Sequence, residues 1–280
     1  MHILVTGANG RIGQRVTPRL LARGDTVRLL ARQPERVATL AQLGAEIAIG
    51  DLRQPDTLAR AVEGVDAIIH LAAFFRSPDE AQVHAVNDEG TLALAHAAIQ
   101  AGVQRFVFTS TNLVYSYQPS HLACEEDIVQ PSQAYPASKV AAERTLLELN
   151  KSTKLGLRIL RLAFVYGEGD PHLAEGLAWF RNWHPATRFQ MVHHADVSQA
   201  LGLALDSPTG NGRIYNVADD EPVPAGVLLQ FFGEPIPADA TERPLENSWA
   251  GLVDTTRIKT ELGFRPLYAS FSAARDAGAL

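Results

Sequence analysis

The chain has 280 residues, of which 46% are hydrophobic, and its 25 Lys and Arg against 31 Asp and Glu give a formal net charge of −6. This length suits one large α/β domain, or a cofactor domain with a modest substrate-binding addition. The sequence has no long block of one charge, no metal-type Cys/His spacing and no bilayer-length apolar stretch, and Cys124 is its single cysteine. We therefore expect a soluble cytoplasmic protein with no metal, nucleic-acid or membrane partner.

Short apolar runs alternate with longer segments of helical period along the first half of the chain. Runs such as ILV, AII and FVF are apolar on both faces, which is typical of strands in a parallel sheet covered by helices. The segments between them predict the crossover helices. The predicted strands are 3–6, 26–30, 46–49, 67–70 and 105–110, with 157–162 and 213–217 returning later to the same sheet.

From residue 166 onward the elements become shorter, and Gly and Pro interrupt the pattern. The predicted fold class is therefore α/β, with a Rossmann doubly wound parallel sheet and a small, discontinuous C-terminal substrate-binding region. The Rossmann domain is predicted over 1–165, with 189–218 returning to it. The substrate-binding region is predicted over 166–188 and 219–280.

A glycine-rich turn follows the first predicted strand and opens the first predicted helix. Free backbone amides and the helix dipole at such a turn favour a pyrophosphate, and glycine lacks the Cβ that would obstruct its approach. A purely structural turn is the alternative, but its place in the first βα unit favours a dinucleotide. The cofactor residues predicted here are Gly7, Asn9, Gly10, Arg11, Ile12 and Gly13.

The end of the second predicted strand bears on the choice of cofactor. A site specific for NAD usually places an acidic residue about 20 positions after the glycines, to hold the ribose 2′-hydroxyl. Here the chain has Arg32, which suits the 2′-phosphate of NADP, with Arg11 and Arg28 as candidate helpers. We therefore favour NADP over NAD, although these arginines could also be ordinary solvated residues.

Tyr135 and Lys139 lie four residues apart and share one face if their segment is helical. Pro136 is then tolerated only in the first turn. An ammonium close to the phenol would favour the phenolate and so make the tyrosine a better acid–base group. Tyr–Lys pairs at this spacing also occur on ordinary solvated helices, so a second feature is needed to identify a catalytic pair. That feature is the polar end of the strand FVFTST. It supplies a hydroxyl at the carboxyl edge of the sheet, where ligands bind.

Together these motifs resemble the extended short-chain dehydrogenase/reductase family, also called the NAD-dependent epimerase/dehydratase family. The resemblance runs through almost the whole chain. It rests on TGANGRIG at 6–13, GDL at 50–52, HLAA at 70–73, VNDEGT at 86–91, FTSTNLVY at 108–115, YPASK at 135–139 and LRLAFVYG at 160–167.

The resemblance implies a role for each matching residue. Tyr135 resembles the general acid–base group, Lys139 the residue that lowers the tyrosine pKa and binds the nicotinamide ribose, and Thr111 the substrate-orienting hydroxyl. Further cofactor positions implied by the resemblance are Asp51, Leu52, Leu71, Ala72, Ala73, Asn87 and Thr109. For His193, His194 and Asp196 we expect a loop and a helix start capped by the aspartate, in preference to a metal site.

Departures from the family pattern favour one reaction. Dehydratases of the family place Asp-Glu directly after the catalytic hydroxyl, where this chain has Asn112 and Leu113. Sugar-nucleotide epimerases usually have Asn in place of Phe164. The chain is therefore expected to be nearer the ketone and aldehyde reductases, as an NADP(H)-dependent oxidoreductase of a small carbonyl or alcohol. The substrate residues predicted are Thr111, Phe74 and Phe164, with Phe75, Trp179, Phe180 and Trp183 as weaker candidates.

Two other functions stay open at this point. An NAD-dependent sugar-nucleotide epimerase would use the same machinery, and a non-catalytic nucleotide-binding sensor would keep the fold without the chemistry. The resemblance also implies a possible homodimer, formed through the two long helices expected at about 80–101 and 133–150.

Overall fold

A computed structural model describes residues 1–75, 79–115, 120–245, 247 and 249–280. Its main element is a seven-stranded sheet in which every pair of neighbouring strands is parallel. The sheet strands are β1 (His2–Thr6), β2 (Thr26–Ala31), β3 (Glu46–Ile49), β4 (Ala67–His70), β5 (Arg105–Thr111) and β6 (Leu157–Leu162), joined later by β10 (Arg213–Val217). The short strands are β7 (Phe164–Tyr166), β8 (Arg188–Phe189), β9 (Met191–His193) and β11 (Val223–Pro224).

The strand order of the sheet is β10-β6-β5-β4-β1-β2-β3. After β3 the chain crosses back to the other side of β1, so that β1 lies between β2 and β4. Thr6, at the end of β1, pairs with Leu30 on one side and with His70 on the other. A reversal of this kind leaves a crevice at the carboxyl ends of the strands, where ligands of doubly wound folds bind.

Helices cover both faces of the sheet. The first six are α1 (Arg11–Ala22), α2 (Ala38–Gln42), α3 (Leu58–Val62), α4 (Glu80–His84), α5 (Gly90–Gln100) and α6 (Ala134–Ser152). The others are α7 (His172–Glu175), α8 (Leu177–Phe180), α9 (His194–Asp206), α10 (Ala225–Phe231), α11 (Thr256–Glu261) and α12 (Phe271–Asp276).

The buried apolar side chains form three clusters, two of them on the opposite faces of the main sheet. The third lies beside the sheet and joins Tyr166, Leu173 and Phe180 to residues of β9, β11, α10 and α12. It therefore packs much of the predicted substrate-binding region around a small core of its own, to which β9 contributes Met191.

The predicted fold class is confirmed, and the strand positions differ from the prediction by at most one residue at either end. The expected helix at 80–101 is α4 and α5 joined by a π-helical turn at Ala85–Glu89. Pro136 lies in the first turn of α6, as expected. Among the described residues, no helix is long and apolar enough to cross a membrane.

Candidate active site

The glycine turn packs directly against the neighbouring loop. Gly7 has a φ of +70°, and a Cβ there would lie 2.6 Å from the backbone nitrogen of Ala72. A Cβ on Gly13 would lie 2.5 Å from the Cα of Ala8. α1 starts after Gly10 without a side-chain cap and without an acidic residue in its first turn. Its amides and dipole are therefore available to an anion, as a dinucleotide pyrophosphate requires.

A cavity of about 250 Å³ begins at this turn and extends over the ends of β2 and β4. Ten of the predicted residues line it: Gly7, Asn9, Gly10, Arg32, Asp51, Leu52, Leu71, Ala72, Ala73 and Phe74. The residues that sequence reasoning missed are Thr6, Leu30, Ala31, Gln33, Arg36, Val37, Gly50 and Val86. Phe74, predicted as a substrate residue, therefore lies on the cofactor side.

The rim of the cavity after β2 is basic. Arg32 and Arg36 are both exposed, and within the described parts of the chain neither side chain has a hydrogen bond or an ion pair. A 3₁₀ turn at Pro34–Val37 brings Arg36 back beside Arg32, and the sequence reasoning did not foresee that turn. Asp51 lines the same cavity, but its carboxylate is bound by Arg53 at 2.7 Å. Hydrogen bonding by Arg53 is the main cause that lowers the pKa of Asp51.

The other two arginines predicted to help bind a 2′-phosphate have different partners. The guanidinium of Arg11 pairs with Asp170 and with Glu175. Arg28 donates to the carbonyl oxygens of Ala61 and Glu63 and to the carboxylate of Glu46, its neighbour across the sheet. The roles of Arg11 and Arg28 toward a 2′-phosphate therefore stay predictions, and in this structure other groups hold both guanidinium groups.

A buried chain of hydrogen bonds lies behind the cavity. The amide of Ala72 donates to the Thr6 hydroxyl at 3.1 Å, and that hydroxyl lies 2.6 Å from Nδ1 of His70. Nε2 of His70 lies 2.8 Å from the hydroxyl of Thr91, which donates to the carbonyl of Asn87. Since Thr91 uses its proton toward Asn87, Nε2 of His70 must donate to the Thr91 hydroxyl, and the unprotonated Nδ1 accepts from Thr6. Burial lowers the pKa of His70 to about 3, so the chain is uncharged.

Asn87 joins the cofactor loop to the helix of the predicted catalytic pair. Its side chain accepts from the amide of Phe74 at 2.6 Å and donates to the carbonyl of Phe74 at 3.1 Å. It also donates to the hydroxyl of Ser138, which in turn donates to the carbonyl of Tyr135. Asn87 therefore supports the site from behind, as the family resemblance implies, although it does not line the cavity.

Lys139 is 1% exposed, and its Nζ donates to the carbonyl of Thr109 at 2.9 Å. The same nitrogen lies 4.6 Å from the ring centroid of Phe108 and 5.9 Å from that of Tyr135. Burial lowers the pKa of Lys139 to about 7 and raises the pKa of Tyr135 to about 12. At neutral pH the phenol of Tyr135 is therefore protonated, a state suited to a proton donor.

Thr111 ends β5, and its hydroxyl oxygen accepts from the amide of Leu113 at 3.2 Å. That bond leaves the hydroxyl proton available to a substrate oxygen. The hydroxyl of Thr109 instead donates to the carbonyl of His70. Asn112, which stands where the dehydratases have an acid, donates to the carbonyl of Gly251 and so links the end of β5 to the C-terminal segment.

Three aromatic side chains, Phe75, His172 and Phe164, pack in series next to Tyr135, and we call them the aromatic wall. The ring of Phe75 lies 4.7 Å from that of Tyr135, and Phe164 stacks on His172 at 4.0 Å. Phe164 also contacts Phe189 at 5.0 Å. Of the weaker candidates, Trp179 is 39% exposed, whereas Phe180 is fully buried and contacts Trp183 within the third cluster. The prediction for Phe180 as a substrate residue is therefore wrong.

The start of α9 matches expectation only in part. His193 caps the helix by accepting from the amide of Ala195, and His194 donates to Asp170. Asp196, predicted as the capping residue, instead accepts from the amides of Leu267 and Tyr268. It therefore holds the C-terminal segment against α9.

Three possible metal ligands, His121, Cys124 and Asp127, have atoms within 4.8 Å of one another, although their spacing in the sequence is not typical of a metal site. The carboxylate of Asp127 binds the ring of His121 at 3.1 Å and the amide of Cys124 at 2.9 Å. These bonds account for the cluster as a hydrogen-bonded turn.

The remaining predicted cofactor residues do not line the cavity, and their roles toward a cofactor stay predictions: Ile12, Gly13, Asn87, Thr109, Tyr135 and Lys139. Ile12 packs against the main core, and Gly13 allows α1 to approach the glycine turn closely.

A glycine turn at the switch point of a doubly wound sheet, together with the helix that carries Tyr135 and Lys139, is the arrangement of an enzyme that uses a dinucleotide. The model of the NAD dependent epimerase/dehydratase family matches residues 3–218. The chain therefore belongs to that family, and its cofactor is a nicotinamide dinucleotide.

Relatives in the family include both reductases and epimerases. A 4-hydroxy-2-methyl-3-oxo-4-farnesyl-3,4-dihydroquinoline-1-oxide ketoreductase of Stigmatella aurantiaca is 29% identical over 98% of this chain and 79% of its own. A 2-alkyl-3-oxoalkanoate reductase of Shewanella oneidensis is 28% identical over 82% of this chain and 65% of its own. The crystal structure of the Thermus thermophilus UDP-glucose 4-epimerase with NAD has a TM-score of 0.78 and 28% identity, covering 100% of both chains.

Proposed function

We propose that the protein is an NADP(H)-dependent oxidoreductase that interconverts a small apolar carbonyl compound and its alcohol. The observation that carries the cofactor preference is the pair of exposed arginines at the cavity rim, Arg32 and Arg36, which have no hydrogen-bond or ion-pair partner among the described residues. Guanidinium groups bind phosphate strongly, whereas an NAD site would present a carboxylate to the ribose there. Asp51, which lines the same cavity, is already bound by Arg53 and repels a phosphate less.

The protein's own groups divide the work of the reaction. The nicotinamide supplies a hydride to the carbonyl carbon when bound. Tyr135, protonated at neutral pH, gives its phenolic proton to the carbonyl oxygen, and Thr111 donates a hydrogen bond to that oxygen. Lys139, held by the carbonyl of Thr109, lies beside the phenol and stabilises the phenolate that forms.

The wall formed by Phe75 and Phe164 favours an apolar substrate. A phenylalanine ring cannot donate a hydrogen bond to the diphosphate of a sugar nucleotide, so Phe164 disfavours the sugar-nucleotide epimerase alternative. The ketoreductase and the 2-alkyl-3-oxoalkanoate reductase are named for carbonyl substrates, which supports the same reaction class.

A homodimer formed through α5 and α6 is a further part of this proposal. It rests on the family resemblance and on the half-buried Ala93 and Ala97 of α5, whose small side chains suit close helix packing. Sedimentation equilibrium would test it, since a mass of about 30.3 kDa at all concentrations contradicts a dimer.

The experiment that tests the proposed function is a calorimetric titration of the cofactor-stripped protein with NADPH and, separately, with NADH. We expect NADPH to bind at least about tenfold more tightly. Arg32→Ala and Arg36→Ala should each weaken NADPH by roughly tenfold and leave NADH within about twofold. Arg60→Ala, which removes the same charge from an exposed site on α3, is the control.

Preferential NADH binding would overturn the cofactor assignment and favour the epimerase alternative. Binding of neither dinucleotide would contradict the enzyme proposal as a whole and favour a sensor of another nucleotide. If NADPH binds as expected, oxidation of NADPH by a panel of apolar ketones and aldehydes tests the reaction itself.

A further inference from the structure

One face of α1 is basic and meets an acidic segment that lies more than 140 residues further along the chain. Arg11, Arg15 and Arg19 are spaced by four residues and so project from the same side of the helix. Arg19 pairs with the carboxylate of Glu168, and Arg15 donates to the carbonyl of Glu168 at 2.7 Å. Arg11 donates to both oxygens of Glu175, at 2.8 and 2.9 Å, and also to Asp170.

Asp170 is the centre of this contact, with a side chain that is only 1% exposed. Its carboxylate accepts from Arg11, from Nε2 of His194 at 2.8 Å and from the backbone amide of His172 at 2.9 Å. Burial by itself would raise the pKa of Asp170, but these three donors hold it well below its usual range. The carboxylate is therefore a permanent anion that joins α1, α7 and α9.

The same segment carries the aromatic wall. His172 is the first residue of α7, and its ring stacks on Phe164 and contacts Phe75 at 6.4 Å. Phe75 in turn contacts the ring of Tyr135. The place of these rings relative to Tyr135 thus depends on where α7 is held, and Asp170 is one of the groups that hold it.

We propose that Arg11 and Asp170 are positioning residues, which fix α7 against the cofactor helix and thereby set the shape of the carbonyl subsite. The effect on KM rests on the proposed function, whereas the effect on how firmly α7 is held does not. Arg11 is the first residue of α1, so the helix start proposed to receive the pyrophosphate also supports the aromatic wall.

The competing assignment is that Arg11 binds the pyrophosphate of the cofactor. The structure favours positioning, because two carboxylates already neutralise the guanidinium and orient it toward α7. The two roles predict opposite effects for Asp170→Asn. Loss of this carboxylate loosens α7 under the positioning role, whereas it would free Arg11 to bind phosphate more tightly under the other.

The first test needs no substrate. Hydrogen exchange of the cofactor-free protein should be about tenfold faster over residues 170–176 in Arg11→Ala and in Asp170→Asn, with the rest of the sheet unchanged. The double variant should exchange faster than Asp170→Asn, but by less than the two single effects combined, since the Arg11–Asp170 pair is shared while Arg11 also binds Glu175. Arg23→Ala is the matched control, because Arg23 pairs with Asp25 and Asp206 at the far end of the same helix.

Unchanged exchange over 170–176 in both single variants would overturn the proposal. So would a gain in NADPH affinity for Asp170→Asn combined with a loss for Arg11→Ala. Neither result depends on turnover, so the positioning proposal can fail while the proposed function stands, and the reverse.

The second test uses an apolar ketone that the wild-type protein reduces. Arg11→Ala should raise KM for the ketone about tenfold, while kcat stays within about threefold and the Kd of NADPH within about twofold. Arg11→Lys, which keeps one charge but not the fork of donors, should recover part of the KM. A variant that changes only the Kd of NADPH would contradict the positioning role.

Discussion

The glycine turn and the aromatic wall, the two regions assigned to cofactor and substrate, are built in different ways. The turn consists of residues 6–13 and is shaped by backbone contacts, above all that of Gly7 with Ala72. The wall joins Phe75, Phe164 and His172, which are far apart in sequence, and the backbone amide of His172 donates to Asp170, which pairs with Arg11. The comparison suggests that the family's shared cofactor chemistry resides in local backbone, whereas substrate choice resides in long-range side-chain packing.

Tyr135 is the proposed proton donor and contacts Phe75 of the aromatic wall, so its loss should have the largest effect. Tyr135→Phe removes the phenolic proton but keeps the ring that Phe75 contacts. We expect turnover to fall by on the order of 10²–10⁴-fold with NADPH affinity nearly unchanged, as measured by NADPH oxidation and by calorimetry. Turnover close to that of the wild type would rule out Tyr135 as the acid.

Gly13→Ala should affect the cofactor side alone. An added Cβ would lie 2.5 Å from the Cα of Ala8 and would push α1 away from the turn. We expect the affinity for NADPH to fall by about a hundredfold and the free energy of unfolding to fall by about 1–3 kcal/mol. Gly24→Ala is the control, because a Cβ there meets no atom within 4 Å, although its φ of +89° also strains alanine.

If Gly13→Ala and Gly24→Ala lose the same cofactor affinity, the close approach of α1 to the turn is not what builds the phosphate site. Unfolding followed by circular dichroism separates a general loss of stability from a specific loss of binding.

The same contrast explains what the sequence could predict. Strands buried on both faces have an apolar pattern that marks them directly, and the glycine spacing marks the turn, so both were placed within a residue. Lys139 is buried and donates to the carbonyl of Thr109, whereas its implied roles toward the tyrosine and the nicotinamide ribose stay predictions. These features depend on residues that are close in sequence or on strand order.

Side-chain partners across the fold were not predictable in this way. Arg11 pairs with Asp170 and Asp196 holds the amides of Leu267 and Tyr268, and no local spacing relates these positions. Arg36 was missed for a different reason, since only the 3₁₀ turn after β2 brings it to the cavity. The sequence signal for a second basic residue at the cavity was an arginine four residues after Arg32.

Asp219→Asn should stabilise the substrate side, with an effect that depends on pH. Asp219 is 1% exposed, and among the described residues neither carboxylate oxygen has a hydrogen-bond partner. Burial raises the pKa of Asp219 to about 9 from an ordinary value of 3.8. Between these two values the unfolded chain is ionised and the folded protein is not, so wild-type stability falls as pH rises.

An amide cannot ionise, so between pH 5 and pH 8 the variant should gain stability over the wild type, by about 4 kcal/mol for a folded pKa of about 9. Thermal unfolding at the two pH values measures this difference, and the comparison cancels groups that titrate alike in both proteins. Equal stability changes at pH 5 and pH 8 would mean that Asp219 is ionised in the folded protein.

Phe164→Ala should have the smallest effect and is confined to the wall. The change removes the ring that stacks on His172 at 4.0 Å and contacts Phe189, without touching the glycine turn. We expect KM for an apolar ketone to rise about fivefold and the Kd of NADPH to stay within about twofold. Phe231→Ala, at a ring that is 41% exposed on α10, should leave both constants unchanged. If Phe164→Ala raised the Kd of NADPH as much as the KM for the ketone, the glycine turn and the aromatic wall would be energetically coupled. Cofactor binding and substrate binding would then not be separate properties of these two regions.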